Sequence, residues 1–223
     1  MARPPLDLSL YLVTDTTLCG AFGVAATVAA AVRGGVTAVQ LRDPHAEDAE
    51  LVALGRAVVA ALGGTRVPLL VNDRVHLVHA IGAQGAHIGQ SDLGVDEARA
   101  ILGPDSYLGL SAQTVEHVTA ARRMPLESLD YLGVGPIWAQ TTKPDAAAPG
   151  GLERLNQVSA ASPWPCVAIG GIDAERAGLV AATAASGVAV VSAICGREES
   201  ESAARDIREA WDNARAREGR GRS

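Results

Sequence analysis

The sequence is poor in aromatic side chains, which make up 3% of its 223 residues, whereas 48% of the residues are hydrophobic. A core must therefore be built mainly from Ala, Val, Leu and Ile. That composition is typical of parallel strands covered by helices on both faces. Low hydrophobicity combined with high net charge, which marks disordered chains, is absent between residues 8 and 211. We therefore expect an α/β protein with one large core and loose ends.

The sequence also contains few cysteines and has no net positive charge. Cys19, Cys166 and Cys195 are widely spaced and form no CxxC pair, so we expect reduced thiols rather than a zinc site or a redox dithiol. The formal net charge of −6 gives no general electrostatic reason to bind nucleic acid. No apolar run approaches the ~18 residues of a membrane helix, and residues 1–7 contain no run of signal-peptide length. We expect a cytoplasmic protein without nucleic-acid or membrane partners, and a homo-oligomer stays open.

Short β-branched segments alternate with longer Ala-rich segments, which predicts repeated strand–helix units. Eight strands are predicted, at residues 8–14, 38–42, 67–71, 86–89, 107–111, 131–135, 166–169 and 188–192. Helices are predicted at residues 24–33, 47–62, 96–102, 115–123, 174–184 and 200–214. Eight right-handed parallel crossovers close naturally into a (β/α)8 TIM barrel, with an open doubly wound sheet as the structural alternative. The predicted single domain covers residues 8–214, between a disordered arm at 1–7 and a flexible basic tail at 215–223.

Polar residues follow seven of the predicted strands at their carboxyl ends. In a barrel these ends meet at one mouth, where barrel enzymes carry their active sites, whereas the turns on the other face are mostly Gly and Ala. The asymmetry predicts an enzyme rather than a structural barrel. The residues are Gln40, Arg42, Asn72, Asp73, Gln90, Asp92, Ser111, Gln113, Thr141, Thr142, Lys143, Gly170, Gly171 and Ser192.

Two carboxylate and two cationic side chains at this mouth suggest binding sites for a metal ion and for an anionic ligand. Asp73 and Asp92 would follow neighbouring strands, where they could share one Mg²⁺. Asp before a helical run is also a favoured N-cap, so capping is an equal alternative for Asp73 and stays open for Asp92. Arg42 and Lys143 would suit a highly charged anion such as pyrophosphate, although either alone is more often a surface charge.

A second anion site is predicted where Gly170 and Gly171 precede a helix, because they would present free backbone N–H groups at the helix start. Barrels frequently bind phosphate after strands 7 and 8, and Ser192 follows strand 8. The alternative is a turn that needs glycine only for its conformation. The five histidines form no predicted metal cluster, so we expect packing or surface roles for all of them. The sequence contains no complete dinucleotide-binding fingerprint, so we predict no nicotinamide or flavin cofactor.

Nine short segments, in order over residues 8–196, resemble thiamine phosphate synthases. Each match is short, but nine in register are specific. The segments are Leu10–Asp15, Val39–Asp43, Val71–Asp73, His87–Asp92, Gly109–Ser111, Gly133–Ile137, Thr142–Lys143, Ile169–Ile172 and Val191–Ile194.

The resemblance implies a transferase that joins a hydroxymethylpyrimidine pyrophosphate to a thiazole phosphate. Pyrophosphate would leave a pyrimidine carbocation, which the thiazole nitrogen captures to give thiamine phosphate. Residue by residue, the resemblance implies Mg²⁺ on Asp73 and Asp92 and the pyrimidine on Gln40. It places the pyrophosphate on Arg42, Asn72, Ser111 and Lys143, and the thiazole phosphate on Gly170, Gly171, Val191 and Ser192. Gln140, Thr141 and Thr142 would complete the substrate site, and Ser111, Lys143 and Arg42 are the expected catalytic residues.

Three positions depart from the family pattern. Pro44 stands where a Lys is usual, Gln140 where a Thr or Ser usually begins the loop, and Gln113 where a His is frequent. Two alternatives therefore stay open: a thiazole tautomerase-like isomerase, and a phosphate-ligand-binding barrel without turnover. The two carboxylates argue against both. A lyase with Lys143 as a Schiff-base amine is disfavoured because its loop is polar. At its length, the loop at residues 136–150 is predicted to act as a lid.

Overall fold

The computed structural model of the protein describes residues 4–140, 142 and 147–221. Eight parallel strands, β1 to β8, form a closed barrel in chain order, and β8 pairs with β1. This confirms the single (β/α)8 barrel and excludes the open sheet. The strands are Leu10–Val13, Ala38–Leu41, Leu69–Asn72, Gly85–Ile88, Tyr107–Ser111, Tyr131–Val134, Cys166–Ile169 and Gly187–Val190.

Nine α-helices, α1 to α9, lie between and after these strands in the described part of the chain. They are Thr16–Cys19, Val24–Arg33, Asp48–Ala61, Val78–Ile81, Val95–Leu102, Val115–Ala121, Gly151–Ala161, Ala174–Ala181 and Ser200–Gly221. Short 3-10 turns cover Gly20–Phe22, Val75–Leu77 and Leu126–Ser128. Most predicted elements end within two or three residues of the observed bounds, as expected for frayed ends.

Besides the one-turn helices α1 and α4, which the predicted ranges do not include, two helices differ from the sequence-based expectation. The helix α7 was not predicted, because Gly150 and Gly151 lie at its start, and only Leu155 and Val158 are buried along it. The last helix, α9, continues beyond the predicted end at residue 214 to Gly221, so the tail predicted at 215–223 begins inside a helix. Arg215 is held there, since its Nη1 donates to Ala181 O at 3.4 Å. The limits of the disordered arm and flexible tail stay predictions.

The barrel has two apolar layers because strand side chains alternate between the two faces of the sheet. The interior cluster consists of Leu8, Tyr11, Val13, Ala38, Leu70, Tyr131, Val167 and Ala189. The intervening strand residues, such as Leu10, Val39 and Val71, pack with helix residues such as Val28 and Val58 in the outer layer. The interior layer forms the floor on which a site at the carboxyl ends can be built.

The three cysteines are free thiols and all are buried. Among the described residues, no single helix has the length and apolar composition to cross a membrane. The segments Thr16–Phe22 and Val24–Arg33, bent by 88° relative to each other, meet that criterion only as a pair. At the amino end of the barrel, the Tyr107 hydroxyl donates to Pro4 O at 3.0 Å.

Candidate active site

A cavity of about 450 Å³ opens at the carboxyl ends of the strands. Its volume is in the range of small-molecule sites. Eleven of the residues that the sequence pointed to line it: Gln40, Arg42, Asn72, Ser111, Gln113, Gln140, Thr142, Gly170, Gly171, Val191 and Ser192. The topology thus brings together residues from β2, β3, β5, β7 and β8 and from the loop after β6. Thr141 and Lys143 lie outside the described residues.

Asp73 and Asp92 lie at the exposed rim, after β3 and β4, and do not line the cavity itself. Asp73 has a φ of 59°, the one positive value among the described non-glycine residues. Such a conformation is uncommon for a side-chain-bearing residue, although Asp adopts it more readily than most, and it is enriched at functional sites. Its Oδ2 accepts from Asn72 Nδ2 at 2.6 Å. The Asp92 Oδ2 accepts from Gly89 N at 2.7 Å, which closes the loop after β4.

The capping alternatives for these two carboxylates do not agree with the structure. The 3-10 turn after Asp73 begins beyond Arg74, which provides no side-chain cap. The helix α5 begins beyond Gly94, and Glu97, not Asp92, accepts from Gly94 N. Neither aspartate therefore caps a helix, and both lie at the exposed rim. No group of three or more His, Cys, Asp or Glu side chains within the described residues is arranged for a metal ion. One or two carboxylates, completed by water and phosphate oxygens, are nevertheless the donor set that Mg²⁺ commonly uses.

The Gly170–Gly171 turn requires glycine for both conformation and close packing. Its φ values are 107° and 65°, in the left-handed region. A Cβ on Gly170 would lie 2.6 Å from Pro136 Cβ, and one on Gly171 would lie 2.6 Å from Ala139 O. The turn is thus pressed against the loop after β6. Asp173 then caps α8 by accepting from Arg176 N at 2.9 Å, so the turn leads directly into a helix N-terminus.

Two arginines beside this turn line the cavity and were missed from the sequence. Arg176 Nη1 donates to Gly171 O at 2.5 Å, and its guanidinium lies 5.1 Å from the centre of the Trp138 ring. Arg197 Nε donates to Ser192 O at 3.4 Å. Two cations next to the start of a helix favour a dianionic ligand such as a phosphate ester. Charged residues in or near helices are usually solvated, so the sequence offered no signal for either one.

The floor of the cavity is a chain of hydrogen bonds between five side chains. Gln40 Nε2 donates to the Tyr11 hydroxyl at 3.0 Å, and the Tyr11 and Tyr131 hydroxyls lie 2.8 Å apart. The Tyr131 hydroxyl lies 2.9 Å from His87 Nδ1, and His87 Nε2 lies 3.0 Å from Ser111 Oγ. The sequence predicted only a packing or surface role for His87. It is buried, but it also lines the cavity.

Burial changes the acidity of both tyrosines. It raises the pKa of Tyr11 from 10.0 to about 12, although the hydrogen bonds with Tyr131 and Gln40 act in the opposite direction. Burial, together with the neighbouring Tyr11, raises the pKa of Tyr131 well above 10.0. Both phenols therefore keep their protons at neutral pH.

Two interior glycines make room for the rings of Tyr131 and His87. A Cβ on Gly109 would overlap the ring of Tyr131, and one on Gly133 would lie 3.0 Å from His87 Cε1. The rings of Tyr131 and His87 are held in turn by their own contact, with centroids 5.4 Å apart. The absence of side chains at positions 109 and 133 fixes where the two rings lie.

Of the residues that depart from the family pattern, Gln113 and Gln140 line the cavity. Gln113 N donates to His117 Nδ1 at 3.1 Å, and Gln140 Oε1 accepts from Thr142 Oγ1 at 2.8 Å. Pro44 is exposed and lies outside the cavity lining. The remaining strand-end residue, Gln90, donates from Nε2 to Ser111 O at 2.5 Å and so ties the loop after β4 to β5.

Known proteins resemble this chain over nearly its full length. It is 50% identical over 197 residues to a thiamine-phosphate synthase of Psychrobacter sp., covering 88% of this chain and 92% of that protein. It is 44% identical over 211 residues to a thiamine-phosphate synthase of Azorhizobium caulinodans, covering 95% of this chain and 98% of that protein. The solved structure of a thiamine phosphate pyrophosphorylase from Pyrococcus furiosus superposes with a TM-score of 0.83 at 30% sequence identity. The superposition covers 94% of this chain and 98% of that protein.

The sequence model of one family, described as thiamine monophosphate synthase, matches residues 10–194, which span the barrel from β1 to the loop after β8. The match covers most of the chain and includes every strand whose carboxyl end contributes to the cavity. On this match and on these relatives, the chain belongs to the thiamine monophosphate synthase family of transferases.

Proposed function

We propose that this protein forms thiamine phosphate from a hydroxymethylpyrimidine pyrophosphate and a thiazole phosphate. The observation that supports it best is one cavity with two anion-binding sides. Arg42, Asn72 and Ser111 lie on one side, and the Gly170–Gly171 turn lies on the other. A reaction between two phosphorylated substrates needs both sides at once.

The reaction begins when the bond between the pyrimidine methylene carbon and the pyrophosphate oxygen breaks, and both electrons leave with pyrophosphate. The lone pair of the thiazole nitrogen then forms the new bond to that carbon. Such a dissociative step depends on stabilising the charge of the leaving group more than on a general base. Arg42, Asn72 and Ser111 are the described residues assigned to that charge, and Lys143 is the further catalytic residue that the family resemblance adds.

The pyrimidine ring is assigned to the floor of the cavity, beside Gln40. Gln40 is buried, and its Nε2 is bonded to Tyr11, so its side chain is held in one place. A fixed amide on this floor can orient a flat heterocycle by hydrogen bonding at its edge. Thr142 and Gln140, which also line the cavity, would contact the second ring, and Thr141 is assigned to the same loop.

Magnesium is assigned to the rim, on Asp73 and Asp92. These carboxylates are exposed beside the anion side of the cavity, and Mg²⁺ commonly combines one or two carboxylates with water and phosphate oxygens. When bound, the ion supplies positive charge for the departing pyrophosphate. The strained backbone of Asp73 supports a functional role for this residue.

The thiazole phosphate is assigned to the Gly170–Gly171 turn, Val191 and Ser192. Backbone N–H groups at the start of α8 provide donors for its oxygens. Arg176 and Arg197 add two positive charges at the same end of the cavity. The thiazole ring would then extend from this end toward the pyrimidine on the floor.

The experiment compares the intact chain with Asp92→Asn and Asp96→Asn, using both substrates with and without Mg²⁺. Asp92→Asn keeps an oxygen that can accept from Gly89 N but removes the charge. Asp96 is an exposed carboxylate in the first turn of α5, so it provides the matched control. We expect Mg²⁺-dependent product from the intact chain and from Asp96→Asn, and a loss on the order of 100-fold in Asp92→Asn.

Two results would overturn the proposal. A folded intact chain that binds thiazole phosphate but forms no product would indicate a binding protein without turnover. Conversion of one thiazole phosphate isomer into another without the pyrimidine substrate would indicate an isomerase. Equal loss of activity in both Asn variants would remove Asp92 from the assigned metal site.

A further inference from the structure

The hydrogen-bond chain on the cavity floor connects the residue assigned to the pyrimidine ring with one assigned to the pyrophosphate of the same substrate. It begins at Gln40 on β2 and ends at Ser111 on β5, and it passes through Tyr11, Tyr131 and His87. Gln40 is assigned to the pyrimidine and Ser111 to the pyrophosphate. The three residues between them have no role in the reaction described above, although they occupy the centre of the barrel.

The number of protons in the chain limits how it can be arranged. The Gln40 amide nitrogen can only donate, so the Tyr11 oxygen accepts. If Tyr131 donated to Tyr11, the Tyr11 proton would have no acceptor among the hydrogen bonds of the described residues. Tyr11 is 1% exposed, so this proton would be buried without a partner.

The opposite direction satisfies every group. Tyr11 donates to Tyr131, and Tyr131 donates to His87 Nδ1. An imidazole whose Nδ1 accepts carries its proton on Nε2, so His87 donates to Ser111 Oγ. Each tyrosine hydroxyl then accepts once and donates once, and the one proton left over is that of the Ser111 hydroxyl.

We propose that Tyr11, Tyr131 and His87 are positioning residues that fix the polarity of Ser111. Because Ser111 Oγ accepts from His87, its own proton is not used within the chain and can be donated into the cavity. A donor stabilises the growing negative charge on a pyrophosphate oxygen, whereas a lone pair facing the same oxygen would repel it. This role rests on the proposed function, because it assigns pyrophosphate to the Ser111 side.

The surroundings keep the chain rigid. Tyr131 is fully buried and His87 is 9% exposed, and both rings are confined by the bare backbones of Gly109 and Gly133. Tyr11 and Tyr131 also meet edge to face, with centroids 5.8 Å apart. A hydroxyl held by such a chain does not have to reorient when charge develops next to it.

The same five residues have one competing arrangement. If the Gln40 amide were turned so that its oxygen faced Tyr11, every proton in the chain would reverse. His87 would then carry its proton on Nδ1, and Ser111 would donate to His87 and present a lone pair to the cavity. The tautomer of His87 therefore distinguishes the proposal from its reverse.

The first measurement is the His87 tautomer in the ligand-free protein, from long-range ¹H–¹⁵N correlations on ¹⁵N-histidine-labelled protein. The proposal predicts the Nε2–H form. We expect Tyr131→Phe to lose this single form, because the variant removes the hydroxyl that donates to Nδ1, and Tyr107→Phe to keep it. Tyr107 is the matched control, since its hydroxyl bonds to Pro4 O at the other end of the barrel. An Nδ1–H form in the unaltered chain would overturn the proposal, and this result requires no variant to fold.

The second measurement is a kinetic cycle with Tyr131→Phe and Ser111→Ala. We expect Tyr131→Phe to lower kcat about tenfold or more while KM for the pyrimidine substrate changes less than about twofold. In the Ser111→Ala background the same change should have less than about a twofold effect, because the group it acts through is gone. Equal effects in both backgrounds would mean that Tyr131 acts through packing alone.

The two measurements separate this inference from the proposed function. An unaltered chain that forms no product would refute the function while leaving the tautomer as a test of the hydrogen-bond direction. Product formation with the wrong tautomer would refute the polarity of Ser111 and leave the function in place.

Discussion

Replacing Gly109 with Ala is expected to disturb the barrel interior, because the new Cβ would overlap the ring of Tyr131. The backbone cannot easily retreat, since β5 is paired with β4 on one side and β6 on the other. Tyr131 would have to move and would lose its bonds to Tyr11 and His87. Overpacking typically costs about 1–3 kcal/mol and a lost hydrogen bond about 1 kcal/mol. We therefore expect the free energy of unfolding to fall by about 2–5 kcal/mol.

Urea unfolding followed by circular dichroism measures this loss by linear extrapolation, with an unchanged slope. Gly178→Ala is the matched control, because it lies in α8 and its Cβ would meet nothing closer than Ala210 O at 4.0 Å. That variant should gain about 0.5–1 kcal/mol from better helix propensity. Adding Tyr131→Leu to Gly109→Ala should destabilise by less than the sum of the two single changes. A Gly109→Ala protein as stable as the unaltered chain would refute the reasoning.

Two further predictions follow from the cavity. Arg176→Gln should raise KM for the thiazole phosphate about tenfold while KM for the pyrimidine substrate changes less than about twofold, because only the phosphate loses a cation. Steady-state kinetics with each substrate varied would detect an equal rise in both constants, which would contradict it. The raised pKa of Tyr11, about 12 against 10.0, means that the unfolded chain binds fewer protons above pH ~10. The free energy of unfolding should therefore fall as pH rises from about 10 to about 12, by up to about 1.4 kcal/mol per pH unit for this group, and Tyr11→Phe should show a smaller slope in urea titrations. An identical slope in the variant would contradict the burial argument.

The sequence predicted the barrel well because its signal is local. The alternation of β-branched and Ala-rich segments, with Gly at the ends of helices, marks each unit independently of the others. The exceptions have local causes as well. Gly150 and Gly151 conceal the start of α7, and the polar residues beyond position 214 conceal the continuation of α9, which good helix formers and the Arg215 bond maintain.

The candidate site was predicted only in part, for a reason of geometry. Polar residues at strand ends are visible because every strand of a parallel barrel points to the same mouth. Tyr11, His87 and Tyr131 lie inside strands, where a single polar residue is usually interpreted as core. Their contacts form between β1, β4 and β6, which become neighbours across the interior only after closure. The left-handed backbone conformation of Asp73 could not be predicted from the sequence either, since nothing in its sequence context requires it.

Barrel closure also has a consequence for synthesis on the ribosome. Leu10 pairs with Val188, and Arg33 at the end of α2 forms an ion pair with Glu201 in α9. The first elements therefore cannot complete their contacts until the last elements have been synthesised. At typical translation rates that interval is on the order of 10 s or more. Throughout it, β1 has an unpaired edge and Tyr11 lacks Tyr131. The nascent chain therefore exposes an unpaired strand edge, to which other chains could pair, until the final strand and helix have emerged.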